Sequence, residues 1–332
     1  MNNLSVSVIG AGSWGTALAI LLAKNGITVT LWGRGEDAMQ SMADRRENSR
    51  YLPGIPIPDL ITPTADFDRA TSGASNILLV VPSHSFPSIL QRLAHNRSEE
   101  MTLVWGSKGL APGSGLLLSE LVQSMLGDRV TPAVISGPSF AAEIAKGLPA
   151  ALTVGAKQLD VAEDVAGWFR NERVRIYPSD DLAGVQLGGA IKNIMAIATG
   201  ISDGLRLGAN SRAALITRGL AEMNRLALAL GGRMETIMGL TGVGDLILTC
   251  TDDQSRNRRV GLGLGRGQTL RQVLDSIGQE AEGVDATREL FKVSERIGVE
   301  MPITAVVYQV LFEGLAPMQA VDALLRREPV RE

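Results

Sequence analysis

In the first half of the chain, hydrophobic positions gather in short β-branched runs separated by stretches of helical spacing. The runs predict strands over residues 4–9, 27–32, 76–81, 102–105, 133–136, 151–154 and 174–177. Between them, 17–24, 87–94 and 115–125 carry the spacing of helices. Strand–helix alternation of this kind predicts a doubly wound sheet. Runs such as ILLVV at 77–81 are apolar at every position, which suits strands covered on both faces.

The pattern changes after Tyr177-Pro178-Ser179-Asp180-Asp181, where proline, serine and aspartate predict a turn and a helix N-cap. Beyond it only helical periodicity remains, over 181–203, 211–230, 269–277, 285–297, 304–313 and 317–327. The fold class expected is therefore an α/β Rossmann-type doubly wound sheet followed by an all-α C-terminal domain. The boundary is placed so that 1–178 form the dinucleotide-binding domain and 179–332 a helical, substrate-binding domain. The polar residues 328–332 are expected to fray.

Length supports two domains, since 332 residues exceed one ordinary core of about 150. A composition of 45% hydrophobic and 20% charged residues is that of a folded globular chain. The formal net charge of −3 argues against a nucleic-acid partner, and the basic run Arg256, Arg258, Arg259 is too short to reverse that. With one cysteine, Cys250, an internal disulfide is excluded, as is a cysteine-rich zinc site. His84 and His95 alone cannot build a histidine metal site, so no metal is expected. His84 is read as a loop residue and Cys250 as a core side chain. The string MNNLSVSVIG lacks a basic segment followed by a long apolar one, so no signal peptide is expected. No uninterrupted apolar run reaches about 18 residues, so no integral membrane segment is expected and the compartment read is the cytoplasm.

The first chemical signal is GAGSWG at 10–15, a complete G-x-G-x-x-G between the strand SVSVI and the helical run TALAILLAKNG. In that context it reads as a dinucleotide loop. Gly10 permits the tight turn, Gly12 lets the backbone approach a pyrophosphate, and Gly15 lets helix and strand pack closely. The helix N-terminus adds free N–H groups for the anion. The second strand ends Leu31-Trp32-Gly33-Arg34, without the acid that would bond a ribose 2′-hydroxyl. Arg34 favours a 2′-phosphate, and hence NADPH/NADP, while NADH/NAD stays open.

The second signal is LAGVQLGGAIKNIMAIAT at 182–199, a helix apolar or small on almost every side with Lys192 in its middle. A buried ammonium without a partner is costly and loses basicity, which makes Lys192 a candidate proton carrier. Gly188 and Gly189, one turn earlier, allow another backbone or a ligand to come close. In GLTGVGDLILTCTDDQSRNRR at 239–259, Asp245 is placed to pair with that lysine. Ser255, Arg256 and Asn257 give three donors in a row, suited to phosphate, although an exposed, N-capped helix start fits the same spacing equally well. Two further sites follow expected strands of the sheet, where ligands of such folds bind. One is Lys108 in Gly106-Ser107-Lys108-Gly109. The other is Gly137-Pro138-Ser139-Phe140-Ala141, in which Ser139 is placed to N-cap the next helix, without a capping box because Ala142 follows. The glycines at 261–267 follow no strand and are not read as a second nucleotide loop.

These segments together resemble the bacterial-type NAD(P)-dependent sn-glycerol-3-phosphate dehydrogenases. The strings that carry the likeness are GAGSWGTALA, YLPGIPIP, VVPSHSF, SKGL, ISGPSFAAEIAKGLPAA, GVQLGGAIKNIMAIA, ALITRGLAEM, GVGDLILTCTDDQSRNRR and VEMPIT. The resemblance implies a Rossmann domain and a helical substrate domain with the active site between them. It implies reduction of dihydroxyacetone phosphate to sn-glycerol 3-phosphate for phospholipid synthesis. It also implies that Ser13, Trp14, Arg34, Lys108 and Ala141 contact the nicotinamide nucleotide, with Arg256 and Glu282 reaching it from the second domain. Lys108, Gly137 and Ser139 would border the substrate, Lys192 would give or take the proton, and Asp245, Ser255, Arg256 and Asn257 would complete the substrate site. The stretch Val284-Asp285-Ala286 after IGQEAEG is less usual for the family.

Two other readings use the same residues. One is a 3-hydroxy-acid dehydrogenase, whose substrate presents a carboxylate instead of a phosphate. The other is a non-catalytic NADPH-binding sensor, for which Lys192 in an apolar helix is a needless cost. A homodimer through the numerous apolar helices of the second domain is a candidate assembly.

Overall fold

The computed structural model describes residues 4–96 and 100–328. The fraying expected of 328–332 falls, from residue 329 onward, outside the described residues. The chain divides into two compact units, Met1–Ala111 with Leu116–Gln186, and Pro112–Gly115 with Leu187–Glu332.

The first unit alternates β1 (Ser5–Ile9), α1 (Ser13–Lys24), β2 (Thr28–Trp32), α2 (Glu36–Arg45), β3 (Ile61–Thr64), α3 (Phe67–Thr71), β4 (Asn76–Leu79), α4 (Phe86–Asn96) and β5 (Met101–Trp105). It continues through α5 (Leu118–Leu126), β6 (Val130–Ser136), α6 (Ala141–Lys146), β7 (Ala150–Ala156), α7 (Leu159–Phe169) and β8 (Val174–Ser179). The eight strands form one sheet in the order β3-β2-β1-β4-β5-β6-β7-β8. All neighbours are parallel except β6 and β7, so the sheet is mixed and mostly parallel. The order reverses between β1 and β4, which opens the crevice where ligands of such sheets bind. Both faces are covered, as the continuous apolar runs require. Leu78 packs in one cluster with Val6, Val8 and Leu31, while Ile77 and Leu79 point into the other with Phe86 and Trp105.

Each of the seven expected strands is present. The eighth, β3, was not anticipated, because its sequence ITPT contains Pro63. Proline cannot donate to a ladder, and β3 accordingly lies at the sheet edge beside β2 alone. Helices α2, α3 and α7 were likewise not anticipated, whereas α6 follows Ser139 as the expected helix start.

The second unit is helical among the described residues, as expected. It contains most of α8 (Leu182–Gly204), then α9 (Gly208–Ala229), α10 (Met234–Ile237), α11 (Asp245–Thr251), α12 (Arg256–Gly265), α13 (Leu270–Ile277), α14 (Glu282–Ile297), α15 (Pro302–Phe312) and α16 (Pro317–Leu325). A π turn, Leu240–Gly244, joins α10 to α11. Three of these elements, α10, α11 and α12, lie where periodicity gave no helix. Their lengths and glycine content explain why: α10 and α11 are short, and α12 carries Gly261, Gly263 and Gly265. The turn after β8 is built as predicted, with Asp181 Oδ1 accepting from Gly184 N at 2.8 Å and Ser179 Oγ accepting from Asp181 N at 3.1 Å. By length and composition α8 is apolar enough to cross a membrane, yet 94% of its apolar window is buried inside the protein, which makes it a core helix.

One buried acid ties two of these helices. Glu222 of α9 is 1% exposed, and its carboxylate accepts from Ile303 N at 2.5 Å, Thr304 N at 3.2 Å and Thr304 Oγ1 at 3.0 Å, so it caps α15 from outside. Burial raises its pKa above the ordinary 4.5, against the lowering effect of these hydrogen bonds and of Arg225. Because the folded state holds the proton more tightly, this group contributes stability at low pH that is lost as pH rises from the ordinary carboxyl value through the raised one. Glu222→Ala should strand donors at about 1–3 kcal/mol each and lower the thermal midpoint. It should also remove that part of the pH slope, as read by thermal denaturation between acidic and neutral pH.

Candidate active site

The nucleotide turn follows β1 at the reversal point of the sheet. Gly10 has φ +123°, and a Cβ there would lie 2.2 Å from the Val80 carbonyl oxygen. A Cβ on Gly15 would lie 1.9 Å from the Gly10 oxygen, so helix α1 and its turn are in backbone contact. Gly12 is the N-cap of α1, with nothing within 4 Å of a Cβ added to it. Its surroundings are open, as a bound pyrophosphate needs. Ser13 and Trp14 open α1. Among the described residues the buried Trp14 indole Nε1 has no hydrogen-bond partner, and it lies against Gly106, where a Cβ would come within 2.8 Å of it. An open glycine turn, a helix N-terminus and an orphaned indole donor fit a dinucleotide. Arg34 follows β2, is exposed, and stands between Gly33 and Gly35.

Asn48 was not singled out in the sequence. It is 5% exposed, and its Nδ2 donates to Ala11 O at 3.0 Å and to Thr16 Oγ1 at 2.8 Å. It therefore clamps the glycine turn to the first turn of α1. No local pattern marked it, because its partners lie more than thirty residues away.

After β5 and β6 the sheet brings together three expected residues. Lys108 Nζ reaches Gly137 O at 3.4 Å, and Ser139 Oγ donates to the same oxygen at 3.0 Å. Ser139 does not cap α6. The helix begins at Ala141 with Phe140 at its N-cap and no side-chain cap bond, since Ser139 stands one residue too early and turns back to Gly137. Gly137 has φ +130°, which permits this return.

In the second unit Lys192 is 7% exposed and Asp245 fully buried. Lys192 Nζ donates to Asp245 Oδ1 in a close ion pair and to Thr249 Oγ1 at 2.9 Å. The pairing inferred from sequence is thus present. Thr249 was missed: it lies four residues after Asp245 on α11, hence on the same face, but that relation is visible only once α11 is known to be helical. Its hydroxyl donates to Asp245 O at 2.6 Å. The close approach expected at Gly188 is also real, since a Cβ there would lie 2.5 Å from Thr241 O.

Ser255 caps α12 by accepting from Arg258 N at 3.2 Å, so the capping alternative is correct, though Ser255 is buried and not exposed. Asn257 is 8% exposed, and its Oδ1 accepts from Gly283 N at 2.9 Å. Gly283 leaves room for this, because a Cβ there would lie 2.8 Å from Asn257 Oδ1. Glu282, the first residue of α14, is thereby held beside Asn257. Arg256 is half-buried, and among the described residues its guanidinium has no protein partner. Cys250 is buried, and burial pushes its thiol up to about 12, so it behaves as a core side chain. His84 sits in a short 3₁₀ turn, Ser83–Ser85.

A mostly parallel sheet whose reversal point carries a complete glycine turn, together with a helical unit holding a buried Lys–Asp pair, defines a class: Rossmann-type dinucleotide-dependent dehydrogenases. Comparison narrows the class. Residues 5–162 match the N-terminal model, and 181–322 the C-terminal model, of NAD-dependent glycerol-3-phosphate dehydrogenase. The chain is 55% identical over 328 residues to glycerol-3-phosphate dehydrogenase [NAD(P)+] of Thioalkalivibrio sulfidiphilus, covering 99% of this chain and 98% of that protein. The crystal structure of glycerol-3-phosphate dehydrogenase from Coxiella burnetii superposes with TM-score 0.95 at 46% identity, over 98% of this chain and 99% of that one. A ketopantoate reductase from Ralstonia eutropha shares the fold at 17% identity and TM-score 0.61, over 96% of this chain and all of that one. The chain belongs to the NAD-dependent glycerol-3-phosphate dehydrogenase family.

Asn48→Ala should leave the Ala11 oxygen and Thr16 hydroxyl without their donor and loosen the turn. The Kd for NADPH, read by fluorescence titration, should rise about 5- to 30-fold, from the loss of about 1–2 kcal/mol of hydrogen bonding. An unchanged Kd in a folded variant would show that the clamp does not order the turn.

Proposed function

We propose that this chain, an NAD(P)-dependent glycerol-3-phosphate dehydrogenase by family, reversibly reduces dihydroxyacetone phosphate to sn-glycerol 3-phosphate with Lys192 as the general acid and base. The product would supply glycerophospholipid synthesis in the cytoplasm. The observation that carries the reading is the buried Lys192–Asp245–Thr249 cluster, in which a lysine of the mostly apolar α8 is paired by α11 at a place where stability alone gives no reason for a charge.

The first unit would hold the nucleotide at Gly10, Gly12, Ser13, Trp14 and Gly15, with Arg34 at the adenosine ribose and Lys108 and Ala141 nearer the reacting end. Bound there, the dihydronicotinamide supplies a hydride to the C2 carbonyl carbon. The carbonyl π pair then becomes an alkoxide lone pair, and Lys192 Nζ gives that oxygen a proton. In the reverse direction Lys192 takes the proton from the C2 hydroxyl. Asp245 and Thr249 fix the ammonium in place, so no reorientation is needed as charge develops. Ser255, Arg256 and Asn257 would bind the phosphate. Arg256 suits this because its fork is unpaired among the described residues, and Asn257 because its Oδ1 is already engaged, which leaves the amide Nδ2 as a donor. Lys108, Gly137 and Ser139 would border the triose, and Glu282 together with Arg256 would touch the nucleotide from the second unit. Remote binding of the phosphate orients the carbonyl for transfer.

Oxidation of NADPH and of NADH, followed by loss of dihydronicotinamide absorbance with dihydroxyacetone phosphate, tests the reaction. Lys192→Ala should lower kcat by about 10²–10⁴-fold while leaving NADPH binding near its normal strength. Near-normal turnover in that variant would remove Lys192 from the proton step. Turnover of hydroxy acids in place of the triose phosphate would favour the carboxylate-substrate reading instead. Arg34→Ala should reduce the NADPH over NADH preference in kcat/KM by about 10-fold or more, the worth of one charge-assisted phosphate contact. Equal loss with both cofactors would mean that Arg34 does not read the 2′-phosphate.

A further inference from the structure

Residues 255–259 read SRNRR, and the three arginines have different surroundings. Arg256 is half-buried and has no protein partner among the described residues, and Arg259 is exposed. Arg258 is 6% exposed. Two residues apart on a helix means about 200° of rotation, so Arg258 points into the unit on the side opposite Arg256.

The Arg258 guanidinium joins three segments. Nη1 donates to Asp203 Oδ2 at 2.6 Å, in the last turn of α8, and to Cys250 O at 3.2 Å, in the last turn of α11. Nε donates to Asp253 Oδ1 at 2.9 Å, in the loop that leads to Ser255. Arg212 of α9 also bonds Asp203 Oδ2, at 2.8 Å, so two arginines face two carboxylates and the cluster is neutral. Each joined segment carries residues of the proposed site: α8 carries Lys192, α11 carries Asp245 and Thr249, and the loop with α12 carries Ser255, Arg256 and Asn257.

Helix α12 also meets α8 along glycines. A Cβ on Gly200 would lie 2.2 Å from Arg258 O, and one on Gly261 would lie 2.0 Å from Ile197 O. Gly204 and Gly265 repeat the contact one turn on. Such a seam brings the backbones together, but van der Waals contact between flat surfaces does not fix rotation or register. A fork bonded to fixed acceptors on two sides does.

We infer that Arg258 is a positioning residue for phosphate recognition: its buried fork locks the start of α12 against α8 and α11, and so fixes where Arg256 and Asn257 present their donors. The inference rests on the phosphate role proposed above for Arg256 and Asn257. Arg258→Lys keeps the charge and most of the stem, but a single ammonium cannot span Asp203, Asp253 and Cys250 O.

The test compares dihydroxyacetone phosphate with unphosphorylated dihydroxyacetone. In Arg258→Lys, kcat/KM for the phosphate substrate should fall about 10- to 100-fold, chiefly through KM, while kcat/KM for dihydroxyacetone should stay within about threefold. A proportionate loss with both substrates would assign Arg258 a general structural role, and no loss with either would remove it from positioning; both overturn the inference. If Arg258→Lys does not fold, Asp253→Asn serves in its place, because the Asp253 side chain is 70% exposed and its loss leaves the Asp203 pair intact. The same split should then appear at about 2- to 5-fold, and its absence is again decisive against the inference. Failure of the underlying reading looks different: the unmodified enzyme would not turn over dihydroxyacetone phosphate, or Arg256→Ala would treat both substrates alike.

Discussion

A lysine in the middle of a buried, apolar helix has to be paired, and much of the second unit is arranged around that requirement. Lys192 is 7% exposed and so largely removed from water, which makes a carboxylate partner necessary. Asp245 is brought there by the π turn Leu240–Gly244, in which Gly244 N donates to Gly239 O at 3.1 Å. The turn is compact enough that a Cβ on Gly242 would lie 1.8 Å from Ile237 O. It also presses on α8, where Gly188 leaves space for Thr241. Single π turns are uncommon and gather at functional sites, and here the turn starts α11 with the acid already beside the lysine.

Glycine performs the same office three times in this chain, each time allowing backbone to touch backbone where side chains would hold elements apart. Gly15 closes α1 onto the nucleotide turn at Gly10, Gly242 closes the π turn onto the end of α10 while Gly188 admits it against α8, and the 200/261 and 204/265 pairs close α12 onto α8. Backbone contact of this kind tolerates no added methyl group, because the nearest neighbours are main-chain atoms that cannot swing aside. The chemistry-bearing residues of the second unit accordingly stand on elements whose separation is set by main chain.

The sheet was legible in the sequence because buried parallel strands are continuous apolar runs, as at ILLVV, and because the glycine turn sits between a strand and a helix. The strand β3 was not, since Pro63 breaks the pattern and an edge strand needs only one partner. Lys192 could be picked out because its charge contradicts the helix around it, and Asp245 because glycines and apolar residues frame it. Thr249, Asn48 and Arg258 could not. Each acts through partners brought close by folding: Thr249 through an unexpected helix, Asn48 through a turn far back in the chain, and Arg258 through Asp203 on another helix. Among the arginines of SRNRR, sequence offers no way to tell the one that faces inward from the one that stays free until the start of α12 is known.

The topology explains why the candidate residues of the first unit are so scattered in sequence. Strands β1, β2, β4, β5 and β6 all run the same way, so their C-terminal ends share one edge of the sheet. The glycine turn follows β1, Arg34 follows β2, Lys108 follows β5, and the 137–141 segment follows β6. Residues more than a hundred positions apart therefore line one edge without any long-range sequence signal being needed. The single antiparallel step, β6 to β7, ends this arrangement. After it the chain leaves that edge along β7, and β8, parallel to β7, also ends at the opposite edge. The direction of one strand thus limits which strand C-terminal ends lie on the nucleotide edge.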